Sequence, residues 1–338
     1  NYSAPGPVSR TAAVLVASLA VGALFSFAPR AAAVRCAVPD LEQYKSLVRP
    51  VEKMGRTHRS GDLRTPPLNP RVGDAWSWYC WNLAGFPIPE SRICTVRGKG
   101  DHCYVVVENS QWGTRVNQAD IDAIVAAWDS TSQGPWPDHG IHQLDTENFG
   151  PIPDALDNDP RVYILYYAFT INADGFFWSF DEYPDGSQDF ASNECEVLYM
   201  NSAQFDPGGS YLISVQAHEL QHMIHWLADE DESIWVDEGM SELAMWFYGH
   251  PDQVIQFPSA PDNNLTTWTS GFADYVKVYL WGLYFYEHFG GQATIRNLMS
   301  QPGNSTAGVQ AAMTAMGYSM SFGQMVADWT TANYLDDP

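Results

Sequence analysis

The stretch with the clearest chemistry runs from 217 to 226 and reads AHELQHMIHW. On a helix, His218 and His222 project from the same face one turn apart, so they can bind one zinc ion together. Glu219 lies about 100° round the helix from His218, where it can reach the reacting water without being a ligand. The spacing therefore predicts a catalytic HExxH site with Glu219 as its general base.

A catalytic zinc ion needs a third protein ligand and one open position for water. His225 lies on the same face of the helix as His218 but a further turn along, too far for a compact tetrahedral site. The pattern HExxHxxGxxH is also excluded, because it needs glycine where His225 stands and histidine where Ala228 stands. We therefore interpret His225 as a packing or hydrogen-bonding residue.

The segment IWVDEGMSELAMW, residues 234–246, supplies a better third ligand. Glu238 would stand at the start of a helix, and Glu242 shares its face, where it can accept a hydrogen bond from a ligand histidine. The acidic turn DEDES and three extended residues, 234–236, would return Glu238 to the level of His222. We predict His218, His222 and Glu238 as zinc ligands, with Glu242 behind them.

The surrounding sequence indicates the helices that must position these residues. After a Pro-Gly-Gly turn, Ser210 can cap a helix that continues to about Ala228. A second helix is expected from Asp237 as N-cap to near Gly249, and a third over about 274–288. These helices carry every residue assigned so far to the predicted site.

The first half of the chain has the pattern of a β-sheet. Short aromatic and β-branched runs with Gly and Pro punctuation predict strands between about 71 and 112. Continuous apolar runs predict buried strands over 161–169 and 196–201, and helical spacing predicts an amphipathic helix over 118–129. Strands first and helices afterwards predict an α+β fold.

HELQH followed by DEGMSE resembles the paired signatures of the gluzincin metallopeptidases. The longer pattern is most similar to the secreted bacterial peptidases of the hyicolysin and immune-inhibitor-A types, specifically over about residues 195–300. The resemblance implies a zincin-like fold, with an N-terminal mixed β-sheet half over 76–207, a C-terminal helical half over 208–338 and the active site between them.

The same resemblance implies a zinc endopeptidase that hydrolyses peptide bonds. His218, His222 and Glu238 would bind zinc, Glu219 would be the general base and Glu242 would support the ligands. Tyr275, at the head of the third helix, occupies the place of the oxyanion-stabilising tyrosine, although an aromatic core helix would look the same.

Two alternatives remain at this point. The first is a zincin-shaped extracellular binding or adhesion domain without catalysis, against which the presence of Glu219 together with the ligands favours an enzyme. The second concerns the metals: calcium is a further candidate cofactor, because DALDNDP (154–160) and DEYPDGSQD (181–189) supply clustered oxygens, although neither matches an EF-hand loop.

The formal net charge of −23 is unevenly distributed. Residues 1–115 carry 14 Lys and Arg against 8 Asp and Glu, whereas residues 116–338 carry 3 against 32. So acidic a surface repels nucleic acid and anionic membranes. We therefore expect a protein or peptide substrate, and neither nucleic acid nor a membrane as partner of the mature protein.

The beginning of the sequence has the features of a secretory signal. Arg10, an apolar run over 11–28 and three alanines at 31–33 predict cleavage after about Ala33 and an extracellular protein. A retained membrane anchor is the competing interpretation, since 18 residues approach the length of a span. Residues 34–75, basic and Pro-rich, are interpreted as a pro-segment or a solvated leader.

The five cysteines all follow the predicted signal. In an oxidising space one or two disulfides are expected, and one thiol must be left over. Cys94 and Cys103 bracket a turn-like segment and are the first candidates for a disulfide.

Overall fold

The computed structural model describes residues 35–47, 67, 69–154, 156–254, 257, 260 and 262–335. The predicted signal peptide, residues 1–33, and half of the predicted leader, residues 34–75, lie outside the described residues. None of the helices in the described ranges is both long enough and apolar enough to cross a membrane.

A six-stranded mixed sheet forms the first layer, in the order β1-β2-β3-β4-β6-β5. Strands β1, β2 and β3 pair antiparallel, β3, β4 and β6 pair parallel, and the short β5 returns antiparallel at the edge. Strands β4 and β6 are buried along their whole length, as predicted, and this explains their continuous apolar runs. The strands are β1 (Ala75–Asn82), β2 (Ile88–Lys99), β3 (Cys103–Glu108), β4 (Val162–Tyr167), β5 (Gly175–Phe177) and β6 (Val197–Asn201).

Helices follow and cover the sheet, so the fold is α+β, with a mixed sheet in the first half and mostly helices in the second. The helix over 118–129 is confirmed, and it begins with a capping box in which Asn117 accepts from Ala119 N and Asp120 accepts from Asn117 N. The helices are α1 (Val38–Lys45), α2 (Gln118–Asp129), α3 (Ile141–Asn148), α4 (Ser210–Ala228), α5 (Ile234–Tyr248), α6 (Phe272–His288), α7 (Gln292–Met299), α8 (Ser305–Ala315) and α9 (Phe322–Leu335).

Helix α5 begins four residues earlier than its sequence indicates, and this corrects two predictions. Ser233, not Asp237, is the N-cap, so residues 234–236 form a helical turn and not an extended segment. Trp235 and Val236 are buried in this turn. The Asp237 carboxylate is engaged by ring nitrogens of α4 and is therefore not available to cap a helix. Gly249 ends the helix in the left-handed conformation, near the predicted end.

Helices α5 and α6 pack unusually closely because two glycines face each other. A Cβ atom on Gly282 would lie 2.8 Å from the carbonyl oxygen of Gly239, and one on Gly239 would lie 3.1 Å from the Trp281 ring. Alanine at either position would push the helices apart. This close approach holds the start of α6 near the residues that α5 presents to α4.

The predicted disulfide between Cys94 and Cys103 is wrong, because both residues are free thiols. They lie at opposite ends of the β2–β3 pair, where Cys94 is opposite Glu108, five residues along β3 from Cys103. Five residues of strand span about 17 Å, whereas a disulfide needs Cα atoms about 4.4–6.8 Å apart. Most of the segment between the two cysteines belongs to β2, which runs to Lys99, and the turn is confined to residues 100–102.

Candidate metal centre

Four buried side chains from three separate segments converge on one point, and we call them the metal cluster. His218 and His222 come from α4, Glu238 from α5 and Cys36 from the residues just before α1. One donor atom of each lies within 4.8 Å of the donor atoms of the other three. The structure thus brings together the three ligands predicted from the sequence and adds a fourth side chain that the prediction missed.

The distances within the metal cluster fit a tetrahedral zinc ion. The Nε2 atoms of His218 and His222 are 3.2 Å apart, and zinc–nitrogen bonds of 2.0–2.1 Å place two ligand nitrogens about 3.3 Å apart. The Glu238 carboxylate oxygens lie 3.3 and 3.5 Å from these two nitrogens. Both oxygens are buried, and neither has a hydrogen-bond partner in the part of the chain that the structure describes. A bound cation would supply that missing partner, and nitrogen, oxygen and sulfur are donors that zinc accepts.

Each of the two histidines predicted as ligands is oriented by a carboxylate at its other ring nitrogen. His218 Nδ1 lies 3.4 Å from Glu242 Oε1, the partner predicted from the sequence. His222 Nδ1 lies 2.9 Å from Asp237 Oδ2 and 3.2 Å from Ser241 Oγ. Such partners favour the tautomer that directs Nε2 at a metal.

Asp237 has a role that sequence reasoning missed, because the residue was interpreted as a helix cap. Its second oxygen lies 2.7 Å from His225 Nδ1, so one carboxylate joins His222 to His225. Burial would raise the pKa of Asp237, but the two histidines hold it well below its usual range. His225 itself lies outside the metal cluster and makes a hydrogen-bonded contact, as predicted. The available signal was the position of Asp237 immediately before the ligand Glu238.

Glu219 is fully buried beside the metal cluster. Its Oε2 accepts a hydrogen bond from the Cys36 thiol over 3.6 Å, and its Oε1 has no partner. Burial raises the pKa of Glu219 to about 7, against the lowering effect of His218 and His222. The edge strand leaves room for it, since a Cβ on Gly175 would lie 3.1 Å from Glu219 Oε1. A carboxyl group that titrates near neutrality can both accept and return a proton.

Tyr275 lies in the first turns of α6, against the metal cluster. Its ring centroid is 6.4 Å from that of His218, and its hydroxyl donates to the backbone oxygen of Cys36 over 3.4 Å. The hydroxyl therefore already serves as a donor to a peptide carbonyl beside the predicted ligands, which is the property that an oxyanion-stabilising residue needs.

Cys36 is the residue of the metal cluster that sequence reasoning missed. The odd number of cysteines indicated one thiol outside any disulfide, but no spacing rule connected Cys36 to a motif more than 180 residues away. Its neighbour Arg35 is buried as well, and pairs with Glu242 over 3.3 Å and with Asp252. These contacts bring the beginning of the described chain into the site.

Comparison with models of known protein families finds no match, and no curated protein is significantly similar to the chain. The site is therefore interpreted from its own geometry and chemistry, and the gluzincin resemblance rests on the motifs quoted above.

Proposed function

We propose that the protein is a secreted, zinc-dependent endopeptidase of the gluzincin type with a zincin-like fold. The observation that carries the proposal is the convergence of His218, His222 and Glu238 from two helices, with Glu219 buried beside them. Three ligands and a base within one site are the parts that hydrolysis by a metal-activated water requires.

The chain's own residues have distinct tasks in this reaction. Zinc held by His218, His222 and Glu238 would polarise the scissile carbonyl and lower the pKa of the attacking water. Glu219 takes a proton from that water and passes it to the leaving nitrogen, for which a pKa of about 7 is suited. Tyr275 donates a hydrogen bond to the oxygen on which charge develops.

A peptide substrate is supported by the sheet edge beside the metal cluster. At this edge Ala37 N donates to Gly175 O over 3.1 Å, and Asp174 N donates to Arg35 O over 2.6 Å. The edge therefore accepts an extended peptide backbone next to the predicted zinc ligands, in the manner of strand addition. A small-molecule substrate would have no use for these backbone groups.

The test combines metal analysis with hydrolysis. Metal content is measured by mass spectrometry, and casein hydrolysis is followed for the wild type, Glu219→Gln and Glu230→Gln, with and without a chelator. Glu230 is an exposed glutamate of the turn after α4 and serves as the control. We expect about one zinc per chain in all three proteins and, once the residues before about Gly73 have been removed, activity that only Glu219→Gln and the chelator abolish.

Other outcomes would decide against parts of the proposal. Zinc without hydrolysis, even after the residues before about Gly73 have been removed by proteolysis, would favour the binding or adhesion domain. A chain without stoichiometric metal would overturn the site itself.

A further inference from the structure

Residues 35–41, which we call the strap, lie along the sheet edge at the metal cluster. Cys36 forms a parallel bridge with Gly175, so the strap extends the sheet beyond β5. It takes the carbonyl of Gly175 and the N–H of Asp174, the backbone groups that a peptide substrate would need. In this arrangement the strap and an extended substrate exclude each other.

The Cys36 thiol stands where a fourth metal ligand would be. Its sulfur is 3.6 Å from His222 Nε2 and 3.6 Å from Glu219 Oε2. With zinc–sulfur and zinc–nitrogen bonds of ordinary length, tetrahedral geometry places a ligand sulfur and a ligand nitrogen about 3.6 Å apart, which is the distance from Cys36 to His222. Hydrolysis needs this fourth position for water, so a sulfur there and a reacting water are alternatives.

Arg35 anchors the strap in an acidic pocket. Its guanidinium pairs with Glu242 and Asp252, and lies 5.3 Å from the Tyr211 ring centroid and 5.0 Å from that of Phe272. The residue is buried, so these ion pairs are shielded from water and constrain the position of Cys36 strongly. On the other side of Cys36, Val38 and Leu41 of α1 are buried in the core.

We propose that residues 35–47 are an internal inhibitor of the site, with the Cys36 thiolate as fourth metal ligand and Arg35 as anchor. This inference rests on the proposed peptidase function. The thiol loses its proton when it binds the metal. Hydrolysis of a peptide bond between the strap and about Gly73 then lets the strap leave with its thiolate, and water can take the vacated position. The uncut chain is then an inactive precursor.

The test uses the uncut chain loaded with cobalt in place of zinc, in the wild type, Cys36→Ser and Cys36→Ala. A thiolate bound to cobalt gives a charge-transfer absorption band in the near ultraviolet. We expect this band in the wild type and in the control Cys103→Ser, whose thiol is also buried, and its loss in both Cys36 variants with the cobalt still bound. With zinc, the uncut Cys36 variants should hydrolyse casein at least about tenfold faster than the uncut wild type, because without the sulfur–metal bond the fourth position is open and a substrate displaces the strap more easily.

The possible failures are distinguishable. Cobalt bound with the same spectrum in the wild type and the Cys36 variants would overturn the inhibitor while leaving the peptidase proposal intact. No metal binding in any of the proteins would overturn the peptidase proposal, and the inhibitor with it.

A second, independent observation concerns an acidic cluster formed by Asp154, Asp157, Glu182 and Glu196. One oxygen each of Asp154, Asp157 and Glu196 lies within 4.8 Å of the other two. Glu182, in the single helical turn over 179–182, stands outside this group of three but within range for its charge to raise the pKa of Glu196. None of the four belongs to the metal cluster.

Two members of the acidic cluster are buried carboxylates without partners. Glu182 is 6% exposed and Glu196 is 1% exposed, and neither carboxylate has a hydrogen-bond partner among the described residues. In the described part of the chain, no cationic side chain forms an ion pair with either of them. Such a group costs several kcal/mol when it is charged and uncompensated.

We infer that the acidic cluster binds one structural calcium ion. Its donors are all oxygens, as this hard cation prefers, and oxygens on opposite sides of a calcium ion are about 4.8 Å apart. Compared with the two segments named in the sequence analysis, Asp154 and Asp157 come from the first, Glu182 comes from the second, and Glu196 belongs to neither.

Thermal unfolding of the full chain tests the calcium site after chelator treatment and return of one equivalent of zinc. Calcium at about 100 times its dissociation constant should raise the melting temperature of the wild type by about 5 °C, and magnesium by less. In Glu196→Gln and Glu182→Gln the affinity should fall at least about tenfold, whereas Glu230→Gln should behave as the wild type. An equal calcium effect in all four proteins, or none in the wild type, would overturn the assignment.

Discussion

The metal cluster and the acidic cluster both bury carboxylates, but they differ in what surrounds those carboxylates. In the metal cluster Glu238 lies between two histidines, and Glu242 behind it is paired with His218 and Arg35. In the acidic cluster Glu182 and Glu196 have no cationic partner among the described residues. The first arrangement can hold its shape from internal charge pairs, whereas charged carboxylates in the second would need a bound cation to compensate them.

The two clusters also differ in the metal ion that their donor atoms favour. Imidazole nitrogens and a thiol in the first cluster are donors for zinc, and oxygens alone in the second are donors for calcium. The electrostatics follow the same division. Burial raises the pKa of Glu182 well above its usual value and that of Glu196 to about 11, with neighbouring acids adding to the effect. In contrast, the histidines of α4 hold the pKa of Asp237 low.

The largest effect expected from this difference is on catalysis. Glu238→Gln should lower casein hydrolysis by at least about 10³-fold, since it removes a ligand of the proposed zinc ion. Glu196→Gln, measured in saturating calcium, should stay within about threefold of the wild type, because it touches no part of the proposed reaction. Initial rates are measured on protein from which the residues before about Gly73 have been removed. Comparable losses in the two variants would remove the distinction between the clusters.

The next effect concerns the support of the metal ligands. Asp237→Asn should weaken zinc binding by about 10- to 100-fold, because His222 loses the carboxylate that orients its ring. Competition with a chromogenic chelator measures the affinity. Asp231→Asn, in the turn after α4, provides the control and should bind zinc normally; an unchanged affinity in Asp237→Asn would mean that Ser241 alone orients the ring.

A smaller effect, with opposite signs in two conditions, is expected for the acidic cluster. In the calcium-free protein at pH 8, Glu182→Gln should raise the free energy of unfolding by about 1–3 kcal/mol, because a buried carboxyl group without partners is removed. In calcium the same variant should be less stable than the wild type, because it has lost a carboxylate beside the proposed ion and binds that ion more weakly. Urea unfolding measures both conditions.

The gain in the free energy of unfolding that is expected for Glu182→Gln without calcium depends on pH in a definite direction. The folded-state pKa of Glu182 is raised, so the folded state holds its proton where the unfolded state has lost it, and stability falls as the pH rises above about 4.5. The advantage of Glu182→Gln should therefore disappear near pH 4.5. A gain that is independent of pH would indicate a packing effect and not an electrostatic one.

The smallest effect is expected at Asp274, a buried acid that belongs to neither cluster and has hydrogen-bond partners of its own. Burial would raise the pKa of Asp274, but hydrogen bonds from Lys277, Thr269 and Asn263 lower it to about 2. Its contribution to stability is present above pH 4 and is lost as the pH falls towards 2. Asp274→Asn should cost about 1 kcal/mol at pH 7, irrespective of either ion, and less at pH 3. Urea unfolding at the two pH values checks this.

The parts of the protein that were predictable depend on patterns within one segment. The four-residue spacing of His218 and His222 places both rings on one face of α4 because a helix has 3.6 residues per turn. The capping residue Asn117 and the apolar spacing behind it are enough to locate α2. In the same way, the apolar runs of β4 and β6 indicate strands buried on both faces.

The remaining features exist only after distant segments have met. Cys36 lies 186 residues from His222 and reaches it through pairing of the strap with β5, for which no local rule exists. Asp237 has the composition of a helix cap, and only packing against α4 gives it two histidine partners. Glu182 and Glu196 are ordinary acids of an acidic chain until the fold buries them together. Helical spacing is a local property of the chain and can be read from the sequence, whereas burial and charge pairing depend on which surfaces come into contact.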